Sequence, residues 1–258
     1  MTGLSLPTVT LCAVTSVNVP ATVAALQACM KHIRFAEVLL LTDRDLDPLP
    51  SGIRRIAIRP LNSAADYSHF MLRELVAHIG SDHCLIVQWD GFVIDAEQWD
   101  QRFLGVDFVG ARWPQFSDGH DVGNGGFSLR SRKLLRACAS AGFVPSHPED
   151  VAIGRVNRDY LEREHEIRFA DGATADRFAF ERTAPKGPTF GFHGVFNMAE
   201  ALGRDRFWAL YETLDDKSGL FRDYRLLARQ SGPGVAGLRR KARLTLDRVK
   251  RLLGLSDR

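Results

Sequence analysis

Residues 85–95, "LIVQWDGFVID", lead three apolar residues into Gln88, Trp89 and Asp90 before the apolar pattern resumes. A carboxylate there either opens an ordinary loop or is held at a strand end as a charge for a ligand. Thr15 and Ser16 after the first apolar run, and Asp43 after the second, have the same placement. In open α/β sheets, ligands bind in the crevice beyond the carboxyl ends of the strands. Taken singly, Thr15, Ser16 and Asp43 are equally the residues that turns and caps use.

Three later segments accompany Asp90. In "VGNGGFSLRS" (122–131), Asn124, Gly125 and Gly126 stand where a backbone can approach a ligand closely, although Gly pairs also make bulges and turns. "HPEDV" (147–151) sets Glu149 and Asp150 at a helix start, where adjacent carboxylates also complement the helix dipole. "FGFHG" (190–194) isolates His193 between an aromatic and a glycine, a setting that by itself is more often structural than ligating.

The elements that position these residues alternate between strand and helix. Strands are expected at 8–14, 37–43, 53–59 and 83–90. Helices fall at 20–33, where Pro20 suits a first turn, and at 64–79. Strands apolar on successive residues, separated by helices, mark a parallel sheet covered on both faces. The second half predicts strands at 107–112, 125–131 and 166–171 and helices at 131–142 and 148–165, with mixed strand directions.

A chain of 258 residues, 45% hydrophobic and 25% charged, is long enough for a substantial core. Its net charge of +3 gives no argument for nucleic acid. Cys12, Cys29, Cys84 and Cys138 match neither a zinc spacing nor a disulfide scaffold and read as buried free thiols. The N-terminus lacks a cationic and apolar leader, and no run approaches the roughly 18 apolar residues of a membrane span, which places the protein in the cytoplasm.

The expected partition is a domain over 1–200 and a helical extension over 201–258. The breaker "SGPGVAG" sets off a tail helix at 238–255 that has Asp247 as its sole acid. Leu238, Leu244, Val249, Leu252 and Leu253 supply its apolar side. Such a helix either packs on the domain or docks peripherally on an anionic membrane surface. It lacks the interleaved aromatics that stack on bases, so nucleic acid is not expected as a partner.

The order and spacing of "QWD", "VGNGG", "HPEDV" and "FGFHG" resemble a family of GT-A-fold, glycosyltransferase-like domains catalogued as a domain of unknown function, over about residues 9–196. The resemblance implies a GT-A-like (Rossmann-like) α/β fold with a mixed, mostly parallel sheet and helices on both faces, to which the residues at 238–255 add a basic amphipathic helix. It also implies a glycosyltransferase that moves a sugar from a nucleotide-activated donor to a glycan or lipid-linked acceptor. Asp90 would be the metal-binding carboxylate, His193 a second ligand, and Asp150 or Glu149 the base that deprotonates the acceptor. Oxygen donors suit Mg²⁺ or Mn²⁺, and imidazole favours Mn²⁺. A carboxylate base opposite the leaving group fits inversion.

Thr15, Ser16, Asp43 and Tyr67 would contact the nucleoside, and Asn124, Gly125 and Gly126 the sugar or acceptor. Gln88 stands where the usual acidic motif has a second carboxylate, and it can hydrogen-bond a ribose or a metal-bound water. Two other readings use the same residues. One is a non-catalytic sugar-nucleotide or glycan-binding module. The other is a metal-dependent phosphoesterase, for which a two-metal site would need more ligands than these segments offer.

Overall fold

Strand β1 (Leu4–Val14) is buried at every residue from Val9 to Val14, as a central strand covered on both faces must be. The computed structural model, which describes residues 3–255, surrounds it in chain order with α1 (Val19–Met30), β2 (Ile33–Thr42) and β3 (Arg54–Ala57). Next comes α2 (Ala64–His69), which runs on through a π turn at Phe70–Glu74 and a 3₁₀ turn at Leu75–His78. β4 (His83–Ile86), β5 (Phe108–Gly110) and β6 (Ser128–Ser131) complete a six-stranded sheet of order β3-β2-β1-β4-β6-β5. β1 to β4 are parallel, and β6 runs antiparallel to both β4 and β5.

Right-handed crossovers decide which face each helix covers. The step from β1 to β2 through α1 lies on one face, where α1 packs on both strands. The step from β3 back to β4 crosses β1 on the other face. There Phe70, Met71 and Leu75 pack on Cys12, Val14, Leu39, Leu41 and Ile86. Each such side chain, fully buried, contributes about 1.5–3 kcal/mol. The reversal of strand order puts a switch point between β1 and β4, whose carboxyl ends open the crevice.

α3 (Arg132–Ala139) follows β6 directly, with Ser131 Oγ accepting from the Leu134 N–H at 3.0 Å. Beyond it lie α4 (Glu149–Val151), a π turn at Ala152–Val156, α5 (Arg158–His165) and α6 (Gly172–Phe178). β7 (Ala179–Phe180) and β8 (Gly191–Phe192) form a separate parallel pair. This is a mixed α/β fold with a six-stranded, mostly parallel sheet.

Most expected strands are shorter than their runs: those at 53–59, 107–112 and 125–131 contract to β3, β5 and β6, and two others are cut by identifiable residues. The segment 166–171 makes a single bridge, Phe169 with Phe108, because Asp171 ends the extended run by capping α6 through the Thr174 N–H at 2.7 Å. β4 stops at Ile86, and "QWDG" is a turn rather than a strand end. Helix α1 likewise stops at Met30, because Ile33 already pairs with Leu4 in β2. All four cysteines are free and buried.

The chain divides into one compact unit ending at His193 and another starting at Gly194. The second holds α7 (Met198–Leu202), α8 (Arg204–Thr213), α9 (Tyr224–Arg229) and α10 (Gly234–Leu252). Of the five apolar residues expected to form the packing side of the tail, only Leu244 is buried. Leu238, Val249, Leu252 and Leu253 are exposed, because the helical period turns them away from Leu244. No helix among the described residues is long and apolar enough to cross a membrane.

Candidate functional site

Asp90 is held by the backbone of a tight turn. Gln88 N–H donates to Gly91 O at 3.0 Å and Gly91 N–H donates to Gln88 O at 3.1 Å, which closes "QWDG" immediately beyond β4. Val87 N–H also reaches Cys12 O of β1 at 3.0 Å, so the turn sits against the switch point. The Asp90 and Gln88 side chains are thereby placed at the mouth of the crevice.

The opposite wall comes from the β7–β8 pair. Its parallel register sets Ala179 against Gly191 and Phe180 against Phe192, so the next residues, Glu181 and His193, emerge side by side. His193 Nδ1 lies 3.3 Å from Glu181 Oε1, and Nε2 lies 3.2 Å from Gln88 Oε1 and 3.8 Å from Asp90 Oδ1. The network extends both ways. Asn124 Nδ2 donates to Glu181 Oε2 at 2.9 Å, and Gln88 Nε2 donates to Tyr67 Oη at 3.0 Å.

Burial alone would strip the imidazole of its proton. Asp90, Glu181 and, at longer range, Asp150 outweigh burial and push His193 up to about 9, so the ring is a cation at neutral pH. Burial raises Tyr67 well above the usual phenol range, with Glu149 adding to it, so its hydroxyl stays neutral.

The glycines of "VGNGG" make room for protein atoms. A Cβ on Gly126 would collide with His193 Nε2, and one on Gly125 would lie 2.6 Å from Glu149 Oε1 and 2.9 Å from an Arg130 nitrogen. Asn124 Oδ1 is buried and has no hydrogen-bond partner.

The adjacent acids have different surroundings. Glu149 is buried and accepts from the fully buried Arg130 at 3.0 Å. Asp150 is half-buried and accepts from the Val151 N–H at 2.8 Å and the Gly125 N–H at 3.3 Å. Burial, with the Glu149 charge beside it, raises Asp150 to about 6, only partly offset by those N–H groups and Arg130.

The residues after β1 and β2 form the other end of the crevice. Thr15 Oγ1 donates to Val17 O within its own loop, whereas Ser16 Oγ accepts from the Leu61 N–H at 2.9 Å and ties that loop to the β3–α2 connection. Asp43 Oδ1 is buried without a hydrogen-bond partner, and its other oxygen lies 3.8 Å from Arg44 Nε.

Gln88 Oε1 and Asp90 Oδ1 lie 3.2 and 3.8 Å from His193 Nε2, near the roughly 3 Å that separates ligands set at right angles about 2.1 Å from a small cation. Glu181 on Nδ1 matches the carboxylate that commonly orients a ligating histidine. The donors therefore fit one divalent ion bound in place of the Nε2 proton, with an amide as the third donor. Among the described residues, no three His, Cys, Asp or Glu side chains form a cage.

Sequence reasoning missed Glu181. Its signal was a repeated pattern: Phe178-Ala179-Phe180-Glu181 and Phe190-Gly191-Phe192-His193 share Phe at alternate positions and end on an ionisable residue. In the fold, Phe178 and Phe190 lie 5.9 Å apart and Phe180 and Phe192 6.1 Å apart, centroid to centroid.

A mixed sheet with ionisable and amide groups gathered at its switch point defines a Rossmann-like α/β domain. The chain belongs to the family described as "Protein of unknown function (DUF5672)", which matches residues 51–193. No curated protein matches it. Among solved structures it is similar to the mannosyltransferase PcManGT from Pyrobaculum calidifontis, in complex with GDP-Man and Mn²⁺. That match has 12% identity and a TM-score of 0.44, and covers 97% of this chain and 78% of that one. It is also similar to A197 from STIV, at 15% identity and a TM-score of 0.35, over 64% of this chain and 82% of that one. Likenesses this distant say nothing about activity.

Proposed function

We propose that the protein is a glycosyltransferase that moves a sugar from a nucleotide-activated donor to a glycan or lipid-linked hydroxyl acceptor. The observation that carries this reading is the meeting of Gln88, Asp90 and His193 at the switch point, with Asp150 raised towards neutrality close enough to influence His193. A base with that affinity for protons is partly free to accept one at working pH. The nucleoside lies at the Asp43 end, with Thr15, Ser16 and Tyr67 shaping its walls. Asn124 Oδ1 accepts from a sugar or acceptor hydroxyl.

A divalent ion, Mn²⁺ or Mg²⁺, would be held by Asp90 and His193 with the Gln88 amide, and when bound it would neutralise the departing diphosphate. Asp150 takes the acceptor O–H proton as that oxygen bonds to the sugar carbon. The bond from that carbon to the diphosphate breaks, and its electron pair leaves with the diphosphate. Attack opposite the leaving group inverts the carbon. Glu149, turned inward to Arg130, holds the helix start from which Asp150 projects.

The test is a panel of nucleoside diphosphates with and without Mn²⁺, read by melting temperature, followed by transfer assays with sugars on the nucleotide that binds. A ligand at a hundred times its Kd stabilises by about 2.7 kcal/mol, a clear shift. If no nucleotide raises the Tm, the reading fails. Binding without hydrolysis or transfer would leave a non-catalytic sugar-nucleotide module in its place.

A further inference from the structure

Helix α10 turns its apolar residues away from the side on which it packs. Successive residues advance by about 100° around a helix. Gly237 and Leu244 fall on one side and are buried. Asp247 joins them, accepting from Tyr211 Oη at 2.9 Å and lying 3.6 Å from Lys217 Nζ. Val235, Leu238, Leu246, Val249 and Leu253 fall on the opposite side and face solvent, with Val235 66%, Leu238 70% and Leu253 65% exposed.

Basic residues border this stripe on both edges. Arg239 and Lys250 run along one edge and Lys241 lies beyond the other, all exposed, while Arg248 lies nearer the packed side, about 40° round from Leu244. Arg239, Lys241 and Lys250 have no ion-pair partner among the described residues. Arg248 stacks over the Tyr224 ring at 4.5 Å, and Arg243 reaches Asp247 at 3.3 Å and Glu212 at 3.5 Å. The single acid of the tail is thus turned inward, and the outward surface is apolar along its centre and positive along its margins.

We infer that this stripe seats α10 in the plane of an anionic phospholipid surface, with Leu238, Leu246, Val249 and Leu253 among the acyl chains and the marginal cations at the headgroups. An apolar strip flanked by Lys and Arg is the pattern of a helix lying in the membrane interface. At 19 residues, α10 is about 28 Å long, and its cations prevent it from spanning. Charge selects the lipid over a second copy of this chain. Two such stripes face to face would bring their cationic margins together, whereas phosphate headgroups neutralise them. The inference is independent of the transferase reading, since docking requires neither donor nor metal.

The full-length protein, without nucleotide, is sedimented with vesicles of phosphatidylcholine alone and of phosphatidylcholine mixed with phosphatidylglycerol, at low and high salt. Binding is expected on the mixed vesicles, weakened by salt. Each basic residue near such a surface strengthens binding about fivefold, so Arg239→Gln/Lys241→Gln/Lys250→Gln should lower the partition coefficient on the order of a hundredfold. Leu238→Ser/Val249→Ser should abolish sedimentation while leaving the circular dichroism and Tm unchanged, because both side chains are solvent-facing. Failure of the wild type to bind mixed vesicles, or wild-type binding by the serine variant, would overturn the inference. A lipid-free dimer broken by the same serine variant would overturn it in favour of a second copy.

Discussion

At the β4 end of the crevice the side chains are joined in one network, although Asn124 Oδ1 is left without a partner. Asn124 meets Glu181, Glu181 meets His193, His193 meets Gln88 and Asp90, and Gln88 meets Tyr67. At the β1–β2 end, Thr15 bonds within its own loop and Ser16 braces the loop at Leu61, while Asp43 keeps a buried oxygen unpartnered. The first end is organised before any ligand arrives, which is what stabilising a developing charge requires. The second keeps a buried acceptor open, where the proposed nucleoside would bind. Damage at the first should therefore appear in turnover, and damage at the second in affinity.

The largest effect is expected from Asp90→Ala, which removes the carboxylate proposed to help hold the metal ion. Transfer should fall on the order of 10³-fold while the Tm barely moves, since the turn is held by backbone bonds. A variant that keeps wild-type turnover would remove Asp90 from the chemistry and erase the contrast between the two ends.

Asp150→Asn should lower kcat by about 10²- to 10³-fold with donor affinity unchanged, as loss of a general base does. Burial and the neighbouring Glu149 charge raise the Asp150 carboxyl to about 6. Below that pH it is protonated and cannot accept a proton, so wild-type kcat should rise with pH and level off above about 6. Asp150→Asn should lose that limb; a limb that persists would assign it to another group.

Glu149→Gln tests the neighbouring acid through stability. It leaves the fully buried Arg130 guanidinium without its counter-charge, and breaking such a pair costs about 3–5 kcal/mol in equilibrium denaturation. A much smaller loss would mean that Gly125 O and Ser128 Oγ, at 3.2 and 3.0 Å, suffice for Arg130. The smallest effect is expected from Asp43→Asn, which should raise the donor KM by about 3- to 10-fold and leave kcat alone, as loss of uniform binding does. An equal fall in kcat would place Asp43 in the chemistry and blur the division.

The first half of the sheet was legible because parallel strands write themselves as unbroken apolar runs: "TVTLCAV" and "EVLLLTD" lie within β1 and at the end of β2. Asp90 was legible as a position, but not the turn that holds it, since local periodicity does not show where two backbone bonds will close. Glu181 lay just past a two-residue strand, where the one signal was the Phe pattern of 178–181 repeated in 190–193. The purpose of Gly125 and Gly126 was also out of reach, because their neighbours His193, Glu149 and Arg130 are distant in sequence. In the tail, composition gave an amphipathic helix, but which face it buries depends on where Tyr211 and Leu244 meet the rest of its own unit.

The β7–β8 pair separates the geometry of the site from the length of the loop that joins its strands. Glu181 and His193 face each other because Phe180 pairs with Phe192, and residues 182–188 between them are exposed. That loop can lengthen without moving either side chain, which makes it a natural insertion point for a tag or a reporter domain. One residue gained between α6 and Glu181 has the opposite consequence. It would turn the carboxylate to the far face of the strand and leave the imidazole without its Nδ1 partner.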